Sequence, residues 1–139
     1  MTGFQQGPVK RHGCRSHGIG LTPYEREIWV TDGRNQHLHV FDATVMPPTQ
    51  LASSKVRDEP GWITFTIDGR YAYPSTGDVI DTASKKIITT LTDETGTPVM
   101  SEKMLEIQLQ DDKVVHTGDQ FGVGRMRATG GMSKSKIGH

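Results

Sequence analysis

The sequence is poor in cysteine, in long apolar runs and in charge of one sign. Cys14 is the only cysteine, which excludes an internal disulfide and a zinc site made of four cysteines. No apolar run approaches the roughly 18 residues that cross a bilayer, and the N-terminal segment lacks the apolar core of a secretory signal, so we expect neither feature in this chain. Lysine plus arginine equals aspartate plus glutamate at 16 each, so no overall positive field attracts nucleic acid.

Apolar side chains are also scarce, whereas turn-forming residues are common. Hydrophobic residues occupy 33% of the 139 positions, and the chain contains 16 glycines and 7 prolines. Such a composition favours many short strands over a few long helices. We therefore predict one all-β domain.

One stretch of the chain occurs twice, at His17 to Ala43 and at Pro60 to Ala83. The copies share a constant offset of 44 residues, which places Ile19 over Ile63, Leu21 over Phe65, Arg26 over Arg70 and Trp29 over Tyr73. The offset shortens where Phe41-Asp42-Ala43 lies over Ile80-Asp81-Thr82, which indicates a shorter loop. A period of about 40 to 50 residues with short alternating segments is typical of four-stranded propeller blades.

Each copy contains four short segments that we predict to be strands. In the first copy they are Gly18 to Leu21, Glu27 to Asp32, His37 to Phe41 and Leu51 to Val56. In the second they are Trp62 to Ile67, Arg70 to Tyr73, Val79 to Asp81 and Lys86 to Leu91. A partial third unit supplies Met104 to Leu109 and Lys113 to Thr117. The predicted boundaries are a flexible arm at 1–16, blades at 17–59 and 60–101, a partial blade at 102–119 and a loose tail at 120–139.

The turn after the first strand has a different sequence signal in each copy. Asp68-Gly69 between two alternating runs predicts a hairpin, because glycine accepts the positive φ that such a turn requires. The first copy has Glu25 at the glycine position, so its turn must be of another type or strained. Pro74 cannot donate a ladder hydrogen bond, so we expect a bulge or an early strand end there.

The segments LTPYEREIWVTD and IDGRYAYPSTGDVID resemble the YVTN-type β-propeller repeats of bacterial and archaeal surface-layer and periplasmic proteins. The resemblance covers roughly residues 17 to 117. It implies blades of four antiparallel strands, two full blades plus a partial third, and a periplasmic or extracellular location. That family more distantly resembles the haem-binding propeller of nitrite reductases and propeller lactonases, but no motif here transfers either activity.

Two blades and a fraction make an incomplete propeller, because closed propellers have at least four blades. A blade packs both of its faces against neighbours, so an incomplete array exposes apolar sheet at its ends. We expect the chain to be the C-terminal part of a longer propeller, and the alternative is that it closes the ring by association with copies of itself.

His17 and Trp62 begin the inner strands of the two copies, near the axis where propellers bind ligands. We therefore predict them as axis-lining, ligand-binding residues, with a structural or surface role as the alternative. His37 and His39 lie on one face of a strand about 7 Å apart, a spacing used by zinc and copper ligands. The alternative is a polar surface without metal.

The carboxylates at equivalent strand ends, Asp42 and Asp81, are expected to cap their own turns rather than to form a catalytic pair. No catalytic residue is identified, and we expect no cofactor unless zinc or copper binds the two histidines. The sequence thus predicts a scaffold that binds a protein or small ligand. The alternative is a propeller enzyme, a metal- or haem-dependent oxidoreductase or a hydrolase, with its site on the axis.

Overall fold

The computed structural model describes residues 16–118 and the backbone of residues 125–126. The predicted arm up to Arg15, with Cys14, and most of the predicted tail lie outside these residues. The described part of the chain contains eleven strands and no helix, which confirms the all-β class. No helix that could span a membrane occurs among these residues.

Two four-stranded antiparallel sheets follow one another along the chain, and in each the strands pair in chain order. The first blade contains β1 (Ile19–Leu21), β2 (Glu27–Asp32), β3 (His37–Asp42) and β4 (Thr49–Lys55). The second blade contains β5 (Ile63–Phe65), β6 (Tyr71–Pro74), β7 (Asp78–Asp81) and β8 (Lys86–Thr90). All eight strands lie where the alternation of the sequence predicts them, with ends that differ by a few residues.

A smaller third sheet contains β9 (Ile107–Gln110), β10 (Lys113–Thr117) and β11 (Arg125–Met126). The turn between β9 and β10 is formed by Asp111 and Asp112, which have φ values of 50° and 58°. The strand β11 pairs with β10, so the third sheet extends into the segment predicted as a tail.

The β1–β2 and β5–β6 turns have the same backbone hydrogen bond. The Glu25 N–H donates to the carbonyl of Thr22 at 2.8 Å, and the Gly69 N–H donates to the carbonyl of Thr66 at 2.8 Å. Glu25 has a φ of 56° and Gly69 a φ of 69°. The first turn is therefore not of another type, and Glu25 adopts a left-handed conformation that costs a non-glycine residue about 1–2 kcal/mol.

Pro74 ends β6, as its missing N–H predicts. It pairs with Ile63 in β5, whereas the pairing of β6 with β7 involves only Tyr71 and Ala72. The proline therefore lies where β7 needs no donor from it.

The hydrophobic core lies between the facing surfaces of the two blades. The Trp29 and Phe65 rings meet edge to face, with centroids 5.7 Å apart. Gly20 allows this approach, because a Cβ there would lie 2.8 Å from the Phe65 ring and 3.0 Å from Ile63. The two copies are thus separate sheets packed face to face. The buried apolar residues are Trp29, Leu38, Val40, Val56, Ile63, Phe65, Ala72 and Ile80.

The positions that fill this core are exposed in the third sheet. Ile63 and Phe65 are each 1% exposed, whereas Ile107 and Leu109, which continue the 44-residue repeat, are 57% and 63% exposed. Ile19, the equivalent residue of β1, is 59% exposed. The incomplete array therefore presents apolar sheet at both of its described ends.

Candidate functional site

A hydroxyl group fixes the start of the inner strand in each blade. The Gly18 N–H donates to Thr31 Oγ1 at 2.8 Å, and the Gly61 N–H donates to Ser75 Oγ at 2.8 Å. Both hydroxyls come from the second strand of the blade or from the residue that follows it. The residues that begin the inner strands therefore occupy equivalent positions in the two blades.

These constraints bring the two predicted axis residues together. The imidazole of His17 donates through Nδ1 to the carbonyl of Gly61 at 3.1 Å, across the repeat offset of 44 residues. The His17 ring meets the Trp62 ring edge to face, with centroids 6.4 Å apart and planes inclined at 62°. His17 is exposed and Trp62 is half-buried, so both can be reached from solvent.

Lys103 completes the group, which we call the Trp62 cluster (His17, Trp62 and Lys103). Its Nζ lies 4.0 Å from the Trp62 ring centroid, a cation–π contact worth about 0.5–1 kcal/mol at an exposed site. The segment that carries Lys103 is held by the Ser101 N–H, which donates to the carbonyl of Ser75 at 3.0 Å. No pattern in the sequence links Lys103 to Trp62, because the fold alone brings this segment across the second blade.

The Trp62 cluster has the chemistry of a binding surface. It offers an indole ring, an ammonium group and an imidazole, which together suit stacking, cation–π contacts and hydrogen bonds. The three residues do not form a nucleophile and base oriented by a third group, which covalent catalysis requires.

His37 and His39 lie on one face of β3, with ring centroids 6.1 Å apart and planes inclined at 11°. His39 is fully buried and both of its ring nitrogens have partners. Nδ1 accepts from the Ser53 hydroxyl at 2.8 Å, and Nε2 donates to Asp32 Oδ2 at 3.2 Å. His37 donates through Nδ1 to the carbonyl of Asn35 at 2.5 Å. A metal bound by His39 would have to displace Ser53 or Asp32.

The groups around His39 shift its protonation equilibrium and that of its partner. Burial lowers the pKa of His39 and outweighs the opposing effect of Asp32. Burial also works to raise the pKa of Asp32, but hydrogen bonds from Asn35 and His39 lower it overall. Within residues 16–118, no group of three or more His, Cys, Asp or Glu side chains is arranged to hold a metal ion. Zinc or copper binding by the two histidines stays a prediction.

The carboxylates Asp42 and Asp81 cap turns, as predicted. Asp42 Oδ1 accepts from the N–H of Thr44 at 2.8 Å and from its hydroxyl at 2.6 Å. Asp81 Oδ1 accepts from the N–H and the hydroxyl of Ser84, both at 2.7 Å. These hydrogen bonds lower the pKa of both carboxyl groups, as expected for anions used in local structure.

Solved structures with a similar fold include propellers. Residues covering 84% of the chain superpose on 36% of hydrazine synthase from Kuenenia stuttgartiensis, which contains propeller domains, with a TM-score of 0.57 and 17% identity. The same share superposes on 41% of a functionally unknown protein from Desulfotomaculum acetoxidans DSM 771, with a TM-score of 0.55 and 16% identity. Residues covering 88% of the chain superpose on 38% of Sqt1 of Saccharomyces cerevisiae, a WD40 propeller protein, with a TM-score of 0.50 and 13% identity.

No protein-family model matches the chain, and no curated protein matches it. The chain spans 36% to 41% of the length of the solved chains it resembles. At these identities the likeness concerns the fold alone. The described residues therefore have an all-β, propeller-like fold made of two complete blades and part of a third.

Proposed function

We propose that the chain is a β-propeller repeat scaffold that binds a protein or small-molecule ligand at the Trp62 cluster. The observation that supports this proposal is the half-buried Trp62 ring, contacted by Lys103 at 4.0 Å and by the edge of His17. Tryptophan is enriched among residues that dominate binding energy, because its large ring loses much water-exposed area when a partner covers it. Lys103 and His17 add donors at the border of that ring.

The scaffold is proposed to work within a larger ring of blades. Ile19 and Leu21 are exposed at positions where the second blade buries Ile63 and Phe65. Covering them requires further blades, supplied either by more chain or by another copy of this one. We also propose membership of the YVTN-type repeats and a periplasmic or extracellular location, on the strength of the segment IDGRYAYPSTGDVID.

The proposed function can be tested although its ligand is unidentified. A random peptide library displayed on phage is selected on the wild-type protein, and enriched peptides are measured by isothermal titration calorimetry. We expect Trp62→Ala to weaken their binding at least tenfold, since it removes the ring that the partner covers. Lys103→Ala and His17→Ala should weaken binding by smaller factors.

Tyr24→Ala provides the matched control. Tyr24 is an aromatic residue that is 68% exposed, and it lies in the β1–β2 turn at the other end of the strand from His17. Its replacement should leave peptide binding unchanged. Enriched peptides that are insensitive to Trp62→Ala, or equally sensitive to Tyr24→Ala, would show that the Trp62 cluster is not the binding surface.

A further inference from the structure

A cavity of ≈ 270 Å³ lies between the second blade and the segment that leads into the third sheet. We call it the inter-blade cleft. It shares no residue with the Trp62 cluster, so a ligand in the cleft would be independent of the proposed function. Its lining residues are Thr64, Phe65, Thr66, Tyr73, Leu91, Met104, Leu105 and Glu106.

The cleft exists because the second blade and the third sheet do not interdigitate as the first two blades do. Between the first two blades, Phe65 and Ile63 fill the space beside Gly20. Their equivalents in the third sheet stay more than half exposed. The third sheet is attached instead by Glu106, whose Oε2 accepts from the Ile67 N–H at 2.6 Å. This hydrogen bond joins the segment before β9 to the second blade beside the cleft.

Most polar groups of the lining already have partners. Glu106 Oε1 accepts from Gln108 Nε2 at 2.6 Å, so both of its carboxylate oxygens are occupied. The Thr66 hydroxyl donates to Asp68 Oδ1 at 2.6 Å and accepts from the Tyr71 N–H at 3.1 Å. These groups already form hydrogen bonds within the protein, so they are not the main hydrogen-bonding groups for a ligand.

Tyr73 differs from these residues, because its hydroxyl makes no hydrogen bond to any of the residues that the structure describes. Burial and the negative charge of Glu106 raise the pKa of Tyr73. At neutral pH the phenol is therefore a protonated donor, and it has no acceptor among the described residues. A ligand that carries an acceptor can replace water at such a half-buried donor.

The size and charge of the cleft narrow the choice of ligand. An apolar cavity of about 150 Å³ holds benzene, so a cavity of this size has room for two fused rings. The apolar side chains of Leu91, Met104 and Leu105 suit an aromatic surface. The carboxylate of Glu106 repels an anion.

We propose that the inter-blade cleft binds a neutral aromatic molecule of about two fused rings that carries one hydrogen-bond acceptor, which the Tyr73 hydroxyl recognises. Apolar contact with the walls supplies most of the affinity. The hydrogen bond from Tyr73 selects ligands that carry an acceptor, and Glu106 disfavours ligands that carry negative charge.

Three bicyclic probes separate these contributions. Quinoline offers a ring-nitrogen acceptor, indole offers a donor without an acceptor, and 2-naphthoate carries a negative charge. At pH 8, where quinoline is neutral, isothermal titration calorimetry should show saturable binding of one quinoline per chain. Indole should bind at least fivefold more weakly, which is the effect of about one net hydrogen bond, and 2-naphthoate at least tenfold more weakly.

Two conservative variants identify the residues responsible. Tyr73→Phe keeps the ring and removes the hydroxyl, so quinoline and indole should bind it with equal affinity. Glu106→Gln keeps an oxygen for the Ile67 N–H and removes the charge, so 2-naphthoate should bind it more tightly than it binds the wild type. Circular dichroism confirms that each variant is folded before titration.

The proposal is overturned if quinoline fails to saturate the wild type up to its solubility limit. It is also overturned if wild type and Tyr73→Phe discriminate equally between quinoline and indole, because recognition would then not involve the hydroxyl. Unchanged 2-naphthoate binding in Glu106→Gln would contradict the charge argument. None of these outcomes depends on Trp62, which is not among the residues that line the cleft.

Discussion

Lys85 of the second blade forms an ion pair with Glu27 of the first, with Nζ 2.7 Å from Oε1. The other carboxylate oxygen of Glu27 accepts from Trp29 Nε1 at 2.9 Å, and Lys85 Nζ lies 5.4 Å from the centroid of the Trp29 ring. The two charged side chains are only 18% and 21% exposed. The pair therefore connects the blades at the border of their shared core.

We expect Lys85→Met to destabilise the protein by about 1 kcal/mol, because it keeps the aliphatic stem and removes the charge. Glu27→Gln should cost a similar amount, since Gln retains an oxygen for Trp29. Urea unfolding of both single variants and the double variant gives the coupling free energy, expected at about 0.5–1 kcal/mol. A coupling free energy of zero would show that the pair does not connect the blades energetically.

The left-handed conformation of Glu25 predicts a stabilising substitution. Glu25→Gly removes an unfavourable conformation that costs about 1–2 kcal/mol. It also raises the entropy of the unfolded chain, which lowers the free energy of unfolding by about 0.4–1 kcal/mol. The net effect should be a gain of about 0.5–1 kcal/mol in the free energy of unfolding, measured with urea. Arg26→Gly is the control, because Arg26 is exposed beside it and is not among the residues with positive φ. This control should lose stability, and a parallel change in both variants would contradict the argument.

Two glycines with nearly equal φ values separate steric from conformational effects. Gly77 has a φ of 81° and Gly96 a φ of 83°. A Cβ at Gly77 would overlap the carbonyl oxygen of Val99, whereas a Cβ at Gly96 would meet nothing within 4 Å. We expect Gly96→Ala to cost about 1 kcal/mol and Gly77→Ala more than about 3 kcal/mol, because backbone must move in the second case. If both variants lose the same free energy of unfolding, measured by heat or urea, the backbone at Val99 moves aside without a measurable energetic cost.

The strands could be predicted from sequence because their signals are local. Alternation, the Asp68-Gly69 turn and the repeat offset each involve neighbouring residues or a fixed spacing, and the structure confirms the strands that they predict. The strand at Arg125–Met126 has two residues, too few for alternation to be visible. A short edge strand is specified by its partner rather than by its own pattern.

The candidate site could be predicted only in part, because one of its three residues is placed by a long-range contact. The sequence repeat was enough to predict His17 and Trp62 as site residues, because it places both at the start of an inner strand, and their rings are in contact. Lys103 reaches Trp62 through a backbone hydrogen bond between Ser101 and Ser75, which leaves no trace in composition or spacing. The burial of His39 was equally hidden, since its partners come from the strands on either side.

The buried His39 predicts loss of stability in mild acid. Burial lowers the pKa of His39 in the folded protein, so below about pH 6.5 the unfolded chain binds this proton more readily than the folded one. The stability that neutral His39 contributes is therefore complete above that pH and is lost as the pH falls toward the folded pKa. The slope from this one group cannot exceed about 1.4 kcal/mol per pH unit. Asp32, whose pKa is also lowered, loses its contribution only below about pH 3.8.

The measurement compares the wild type with His39→Gln by urea unfolding between pH 8 and pH 5, in the presence of EDTA so that no metal contributes. The difference in unfolding free energy should shrink as the pH falls, because only the wild type carries the titrating group. Ser53→Ala is the matched control: it removes the partner of Nδ1 but leaves His39 between β2 and β4, so the pH dependence should persist. A constant difference between the wild type and His39→Gln would show that His39 binds its proton with the same affinity in the folded and the unfolded protein. The burial of His39 would then not determine the acid stability of the first blade.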